Sequence, residues 1–311
     1  MHSLTRRTLY AAALVLALGW AGAARAAFTF KDTPGKHMDV LLDGKPVARY
    51  MYEHDTSTKE RQVETYKPYL HILDPADGQP ITKGPGGLYT HHRAVFIGWN
   101  KLGCDGKRYD FWHMSGGDIV HQKFLKQDAG AEEAILTSLT HWLTKDGKTV
   151  VEEARTMTFR RAPTDDGIVL VDFVSTLKAP GEAVDLKGDP EHAGMQYRPH
   201  DGVSKNKSAA YLFPKESINK GNVGKERDLP WAAETYELGN RKYAVQHMNH
   251  PSNPKDTRYS AYRDYGRFGA FFEKTVPAGE SLTVRYRILI KKGDLPPRDT
   301  LQAYYEAFAK P

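Results

Sequence analysis

The chain holds a single cysteine, Cys104, among 311 residues. No intramolecular disulfide can form, so stability must come from the apolar core. Beyond residue 20 no apolar run is long enough to cross a bilayer. No block of lysines and arginines follows the first 26 residues, so the clustered charge of a nucleic-acid binder is missing. No Gly-x-Ser-x-Gly elbow, Gly-x-Gly-x-x-Gly loop, phosphate loop or His-Glu-x-x-His pair occurs. Serine hydrolysis, dinucleotide binding and zinc proteolysis thereby lose their usual short signatures.

What is present begins with an address. Arg6-Arg7 precedes an apolar stretch from Leu9 to Trp20, and Ala24-Arg25-Ala26 is a small-x-small cleavage site. Residues 1–26 are expected to be a signal peptide, by a Sec or twin-arginine route, and residues 27–311 a single domain. Cleavage would remove Arg6, Arg7 and Arg25 and no acid, lowering the formal charge of +6 by three. The mature protein is expected to be periplasmic or secreted, with no membrane insertion and no nucleic-acid partner.

Turn signals organise the rest. Asp-Gly pairs begin at Asp43, Asp77, Asp105, Asp146, Asp166 and Asp201, and both central residues of a type I′ hairpin turn need positive φ. Met38–Leu42 and Val47–Tyr52 flank the first pair as strands. Residues 53–66 read as a long loop. Val95 to Trp99 reads as a strand, and Cys104-Asp105-Gly106 turns the chain into Tyr109 to His113. From Ile119 to Leu177 the pattern is a meander. In its last strand Val169, Val171, Phe173 and Leu177 alternate with polar residues. Leu282, Val284, Tyr286, Ile288 and Ile290 alternate in the same way. No helical period lies between these strands, which excludes a doubly wound fold. A helix closes the chain, with Asp299 as N-cap and Leu301, Tyr304, Tyr305 and Phe308 at helical spacing. The expected fold is all-β: a large antiparallel β-sandwich, supersandwich-like, with long loops and a C-terminal α-helix.

Histidines and arginines gather in loops. His91-His92-Arg93 follows a Pro-Gly-Gly turn; Asp110-Phe111-Trp112-His113 has His121 nearby; Glu191-His192 precedes Arg198; and His250 precedes Arg263-Asp264-Tyr265. A sugar site needs this inventory. Rings such as Trp112 and Tyr265 stack on pyranose faces, arginines donate to hydroxyls, and a histidine with a carboxylate moves protons. His91, His92, Glu191 and His192 are therefore the candidate catalytic residues. One of His91 and His92 would be the acid and Glu191 the base. Arg93, Trp112, Arg198, His250 and Arg263 are the candidate substrate-binding residues. No metal or cofactor is assigned. A metal-dependent enzyme drawing on His91, His92, His121, His192, His247 and His250 with Glu191 or Asp110 is one rival. A non-catalytic carbohydrate-binding module is the other.

The ordered set Lys67-Pro68-Tyr69, Tyr89 to Arg93, Asp110-Phe111-Trp112, Glu191 to Arg198, His250 to Pro254 and Arg263 to Gly266 resembles the PmoA-like family of bacterial, often exported, proteins, from about residue 45 onward. In that family an Asp-His precedes the His-His-Arg motif; here Leu88-Tyr89-Thr90 stands in its place. The resemblance implies a galactose-mutarotase-like β-supersandwich and a role in carbohydrate metabolism. The implied partner is a small-molecule carbohydrate; as an enzyme on such a substrate the protein would be of epimerase, hydrolase or lyase type.

Overall fold

The computed structural model describes residues 27–310; the expected signal peptide and its cleavage point lie outside the described residues. Two eight-stranded sheets form the sandwich. The first runs in the order Phe28–Thr33, His37–Leu42, Lys45–Met51, Tyr69–Ile72, Val95–Trp99, Ala193–Tyr197, Phe268–Phe271, Arg258–Ala261. In the second, Gly117–Ala129, Glu133–Thr144, Thr149–Arg160 and Gly167–Lys178 pair in succession. Ser281–Lys292, Arg241–Asn249, Trp231–Leu238 and Ala210–Leu212 extend it. The named pairings are antiparallel, as tight turns between long strands require. A smaller sheet joins Lys274–Val276, Val184–Lys187, Lys101–Cys104 and Lys107–Tyr109.

The turn chemistry explains much of this register. Asp43 and Gly44 have φ of 55° and 75°, and Asp105 and Gly106 have 55° and 66°, so both pairs make the expected tight turns. Asp201-Gly202 instead opens the helix Asp201–Asn206. The stretch expected as loop holds a helix, Lys59–Thr65, whose Thr58 side chain accepts from Arg61 N. Residues 110–116 leave the strand pattern because Asp110 Oδ1 accepts from Trp112 N and His113 N, at 2.9 and 2.8 Å.

Inner faces supply the main core. Val171, Phe173, Val284, Tyr286 and Ile288 meet Val95, Ile97, Trp99, Met195 and Tyr197 there. Each fully buried side chain of this size contributes about 1.5–3 kcal/mol. Side chains of a strand alternate, so Phe96 points the other way. It joins Tyr69, Ala94 and Trp112 in a separate apolar cluster on the outer face of the first sheet. The C-terminal helix Arg298–Ala309 covers the outer face of the second sheet through Leu301, Tyr304, Tyr305 and Phe308. Pro297 stands at its N-cap and Asp299 lies within the first turn, where a carboxylate still favours the helix dipole.

Two histidines are buried away from the loop histidines. His247 lies between the sheets against Tyr259 and Met195, and burial holds it neutral with a pKa down to about 3. His71 bonds Thr82, and burial, then Arg49 and Arg93, likewise hold it near 3. Below the unfolded value of about 6.5 the unfolded chain takes up protons that these native imidazoles refuse. Their contribution is therefore complete above pH 6.5 and is lost as pH falls toward 3. At pH 5 each costs about 2 kcal/mol. The urea midpoint is expected to fall clearly between pH 8 and pH 5, and His247→Phe should shrink that fall. Equal midpoints at the two pH values would contradict this.

Candidate active site

Four loops meet over the outer cluster of the first sheet: residues 86–93, 110–116, 188–192 and 262–266. Small residues let them approach. A Cβ on Gly98 would stand 2.5 Å from Phe111 O, so the 110–116 loop lies directly on the strand Val95–Trp99. Lys67 pins the same loop from below, donating to Trp112 O at 2.7 Å with its ammonium 4.2 Å from the Phe96 ring centroid. Burial, followed by Arg93, pushes the Lys67 ammonium well below its usual range. Gly98→Ala is expected to lift the loop, costing about 1–3 kcal/mol by overpacking. Thermal melts should show that loss; an unchanged midpoint would mean the close approach is absent in solution.

The loops bring imidazoles together. Ring centroids are 4.5 Å apart for His91 and His92, 4.4 Å for His91 and His113, and 5.0 Å for His113 and His192. Two of these rings are built alike. His113 Nδ1 lies 2.8 Å from Asp110 Oδ2, and His192 Nδ1 lies 2.8 Å from Asp189 Oδ1. In both, the aspartate stands three residues earlier and also accepts the backbone N–H of the residue two positions on, Trp112 or Glu191.

The carboxylates are charged. Burial opposes the charge on Asp110, but His113 and Trp112 hydrogen bonds more than offset it and hold the carboxyl below its usual range. Burial likewise opposes Asp189, and His192, Asn100 and Glu191 N overcome it. An ionised carboxylate only accepts, so Nδ1 of each histidine carries the proton. In the neutral ring the Nε2 lone pair is then free to take one, and in the imidazolium Nε2 can give one. Each of the two histidines keeps about a third of its side chain exposed.

The other two imidazoles differ. Burial first, then Lys67 and His113, holds His91 down to about 3. Burial, then Arg267, pushes His92 still lower. His91 Nε2, His92 Nδ1 and Trp112 Nε1 are buried without a hydrogen-bond partner among the described residues. Burial at both positions disfavours the imidazolium that an acid there would need.

Beside the imidazoles, Tyr262 OH donates to Glu191 Oε1 at 2.7 Å, and Arg263 Nη2 reaches both Glu191 oxygens at 2.5 Å. Burial opposes the charge on Glu191, but Arg263 and Tyr262 hold the carboxyl low, so it accepts rather than donates. Tyr89 caps the group, with its ring 5.1 Å from His92 and 5.2 Å from Tyr265. Tyr89 and Met114 both have left-handed backbone, at φ 55° and 67°. Such strain gathers where a site fixes geometry that the chain alone would not choose.

Several expected residues do other work. Arg93 is buried, donates to the carbonyls of His92 and Val63 at 2.8 and 2.7 Å and to that of Thr90, and faces the Tyr66 ring. Arg198 is buried against Tyr265, Asp201 and the carbonyl of Pro199. These guanidinium groups hold the loops and do not reach solvent. Trp112 is 0 % exposed and forms the floor, so it offers no face to a sugar. His250 lies across the sandwich, against Phe308 and Ser252, because its loop packs under the C-terminal helix. Of the metal alternative's histidines, His91, His92 and His192 stay in the loop group, whereas His247 is in the core and His121 bonds Ser138. Among the described residues, no group of three His, Cys, Asp or Glu side chains is placed to hold a metal ion.

A family model described as a family of unknown function, DUF6807, matches residues 37–306. The chain belongs to the DUF6807 family. The match spans all four loops of this DUF6807 chain. No curated protein sequence matches it. Among solved structures, a heparan sulfate lyase HepC mutant from Pedobacter heparinus is similar at 9% identity and a TM-score of 0.45. That likeness covers 87% of this chain and only 37% of the lyase chain. A GalM/aldose epimerase homologue from C. elegans is similar at 9% identity and a TM-score of 0.34, over 86% of this chain and 99% of that one. Scores this low carry no argument about activity.

The sequence pattern alone does not single out His113, Asp110 and Asp189 as acting residues. A signal for them exists: Asp110-Phe-Trp-His113 and Asp189-Pro-Glu-His192 share one spacing.

Proposed function

We propose that this protein binds a sugar or glycoside and transforms it by acid–base chemistry at His113 and His192. The observation that carries the reading is the pair of neighbouring Asp–His units, two imidazoles of fixed tautomer 5.0 Å apart by centroid, each with Nε2 left for a substrate. One of them takes a proton while the other gives one. Ionised Glu191 accepts from a hydroxyl, Arg263 donates, and the rings of Tyr89 and Tyr265 lie against the apolar face of the pyranose. His91 and His92 act as neutral hydrogen-bonding groups. The resemblance of the motif order to PmoA-like proteins supports the same substrate class, and the N-terminal residues support a periplasmic or secreted setting. A purely binding module would expose Trp112 or Tyr265 and lack an acid–base pair; here Trp112 is buried and Tyr265 half-buried, and the two Asp–His pairs favour the catalytic reading.

A thermal-shift panel of mono- and disaccharides and oxidised sugars tests the site. At 100 times its Kd a ligand stabilises the wild type by about 2.7 kcal/mol. His113→Ala and His192→Ala should fold and lose the shift. If the variants keep the full shift, the site lies elsewhere.

A further inference from the structure

Two cavities open on either side of the histidine group. One, of about 460 Å³, is bordered by His113 and Met114 and reaches Val63, Lys145 and Thr144. The other, of about 300 Å³, is lined by Leu88, Tyr262, Arg263 and Tyr265 together with Ser204 and Lys207. A continuous row of rings joins them. Tyr265 to Tyr89 is 5.2 Å, Tyr89 to His91 is 6.3 Å, and His91 to His113 is 4.4 Å between centroids.

Exposed apolar side chains gather along this row. Among the described residues, large exposed hydrophobics are Val63 at 39 %, Leu88 at 44 %, Tyr89 at 45 % and Leu125 at 51 %. Val63 lines one cavity, Leu88 lines the other, and Tyr89 stands between them. Three of the four thus lie on one strip, and such clustering on a soluble surface marks a contact site. The strip is not simply greasy. Thr144 and Lys145 line the Val63 cavity, and Ser204, Lys207 and Arg263, the last paired with Glu191, line the Leu88 cavity. Apolar faces edged by directed donors and acceptors match a chain of pyranose rings, whose faces are apolar and whose rims carry hydroxyls.

We propose that the site takes an extended oligosaccharide of at least three residues, seated across both cavities with its reacting residue over His113 and His192. This rests on the reading of the histidine group as a sugar site. The Leu88 cavity holds the chain on one side and the Val63 cavity on the other. Neither Leu88 nor Val63 contributes to the proton-transferring groups.

The test is calorimetric titration with two series of one to four residues, cello-oligosaccharides and (1→4)-linked oligogalacturonates. In the series that binds, Kd should fall by about tenfold or more from one residue to three. Leu88→Ser and Val63→Ser should each raise the Kd of the trisaccharide by about fivefold and leave that of the monosaccharide unchanged. If the monosaccharide binds, His113→Ala abolishes that binding, and affinity is flat with length, the extended site is overturned while the sugar site stands. Length-dependent binding that neither serine variant weakens also overturns it. If no member of either series binds, the extended site is overturned, and the sugar site falls only if the wider thermal-shift panel is also silent.

Discussion

Asp110→Asn is expected to cut turnover of the converted saccharide by roughly 10²–10⁴-fold while leaving the fold intact. The cause is a change of tautomer. The new side-chain amide keeps an oxygen as acceptor for Trp112 N and His113 N, so the local turn survives. Its nitrogen then faces His113 Nδ1 in place of Oδ2, which lies 2.8 Å away in the wild type. A donor there favours the ring with its lone pair on Nδ1 and its proton on Nε2, the wrong form for a base. Asp189→Asn should act on His192 in the same way, through the 2.8 Å contact of its own pair. Loss should appear in kcat with KM little moved, since both residues stand behind the imidazoles rather than against substrate. Equal rates for wild type and both variants would remove the Asp–His units from the mechanism.

Glu153→Ala is expected to cost about 3–5 kcal/mol of stability. Glu153 and Arg155 are wholly buried and joined by two bonds, Nε to Oε1 at 2.9 Å and Nη2 to Oε2 at 2.8 Å. Trp142 Nε1 and Ser175 Oγ also donate to the carboxylate, at 3.0 and 2.9 Å. Arg155 Nη1 reaches Pro68 O at 3.0 Å, tying the second sheet to the first just before the strand Tyr69–Ile72. Removing the carboxylate leaves a buried guanidinium uncompensated, and its desolvation dominates the loss. Arg155→Met should therefore cost less in the Glu153→Ala background than in the wild type, which a denaturation double-mutant cycle measures. Strict additivity would show that the pair is not coupled.

The strands are legible in the sequence because their signals are local. Asp43-Gly44 and Asp105-Gly106 specify turns, and the alternation of Val169 to Leu177 and of Leu282 to Ile290 specifies which side meets the core. The helix Lys59–Thr65 escapes the sequence pattern although Thr58 marks its start; its polar residues carry no apolar stripe to betray it.

The site is legible as four loops but not as a set of roles. Loop residues and their types can be read from the chain. Whether Arg93 and Arg198 face solvent or carbonyls depends on tertiary burial. Trp112 reads as a stacking platform and is a floor, because the outer face of the first sheet is covered where Gly98 admits the loop above it. His250 belongs to a loop whose place is set by the strand pairing of Arg241–Asn249 with Ser281–Lys292, far along the chain. The histidines that stand in Asp–His units repeat a three-residue spacing, a weaker signal in the chain than the His91-His92 doublet.

The most direct test of the account is product analysis after incubating a panel of glycosides, uronates and oxidised sugars with wild type and with the double variant His113→Ala, His192→Ala. The account predicts that the wild type converts at least one saccharide and that the double variant, with an unchanged circular dichroism spectrum, converts none. Conversion of the same saccharide by the folded double variant at the wild-type rate would contradict it.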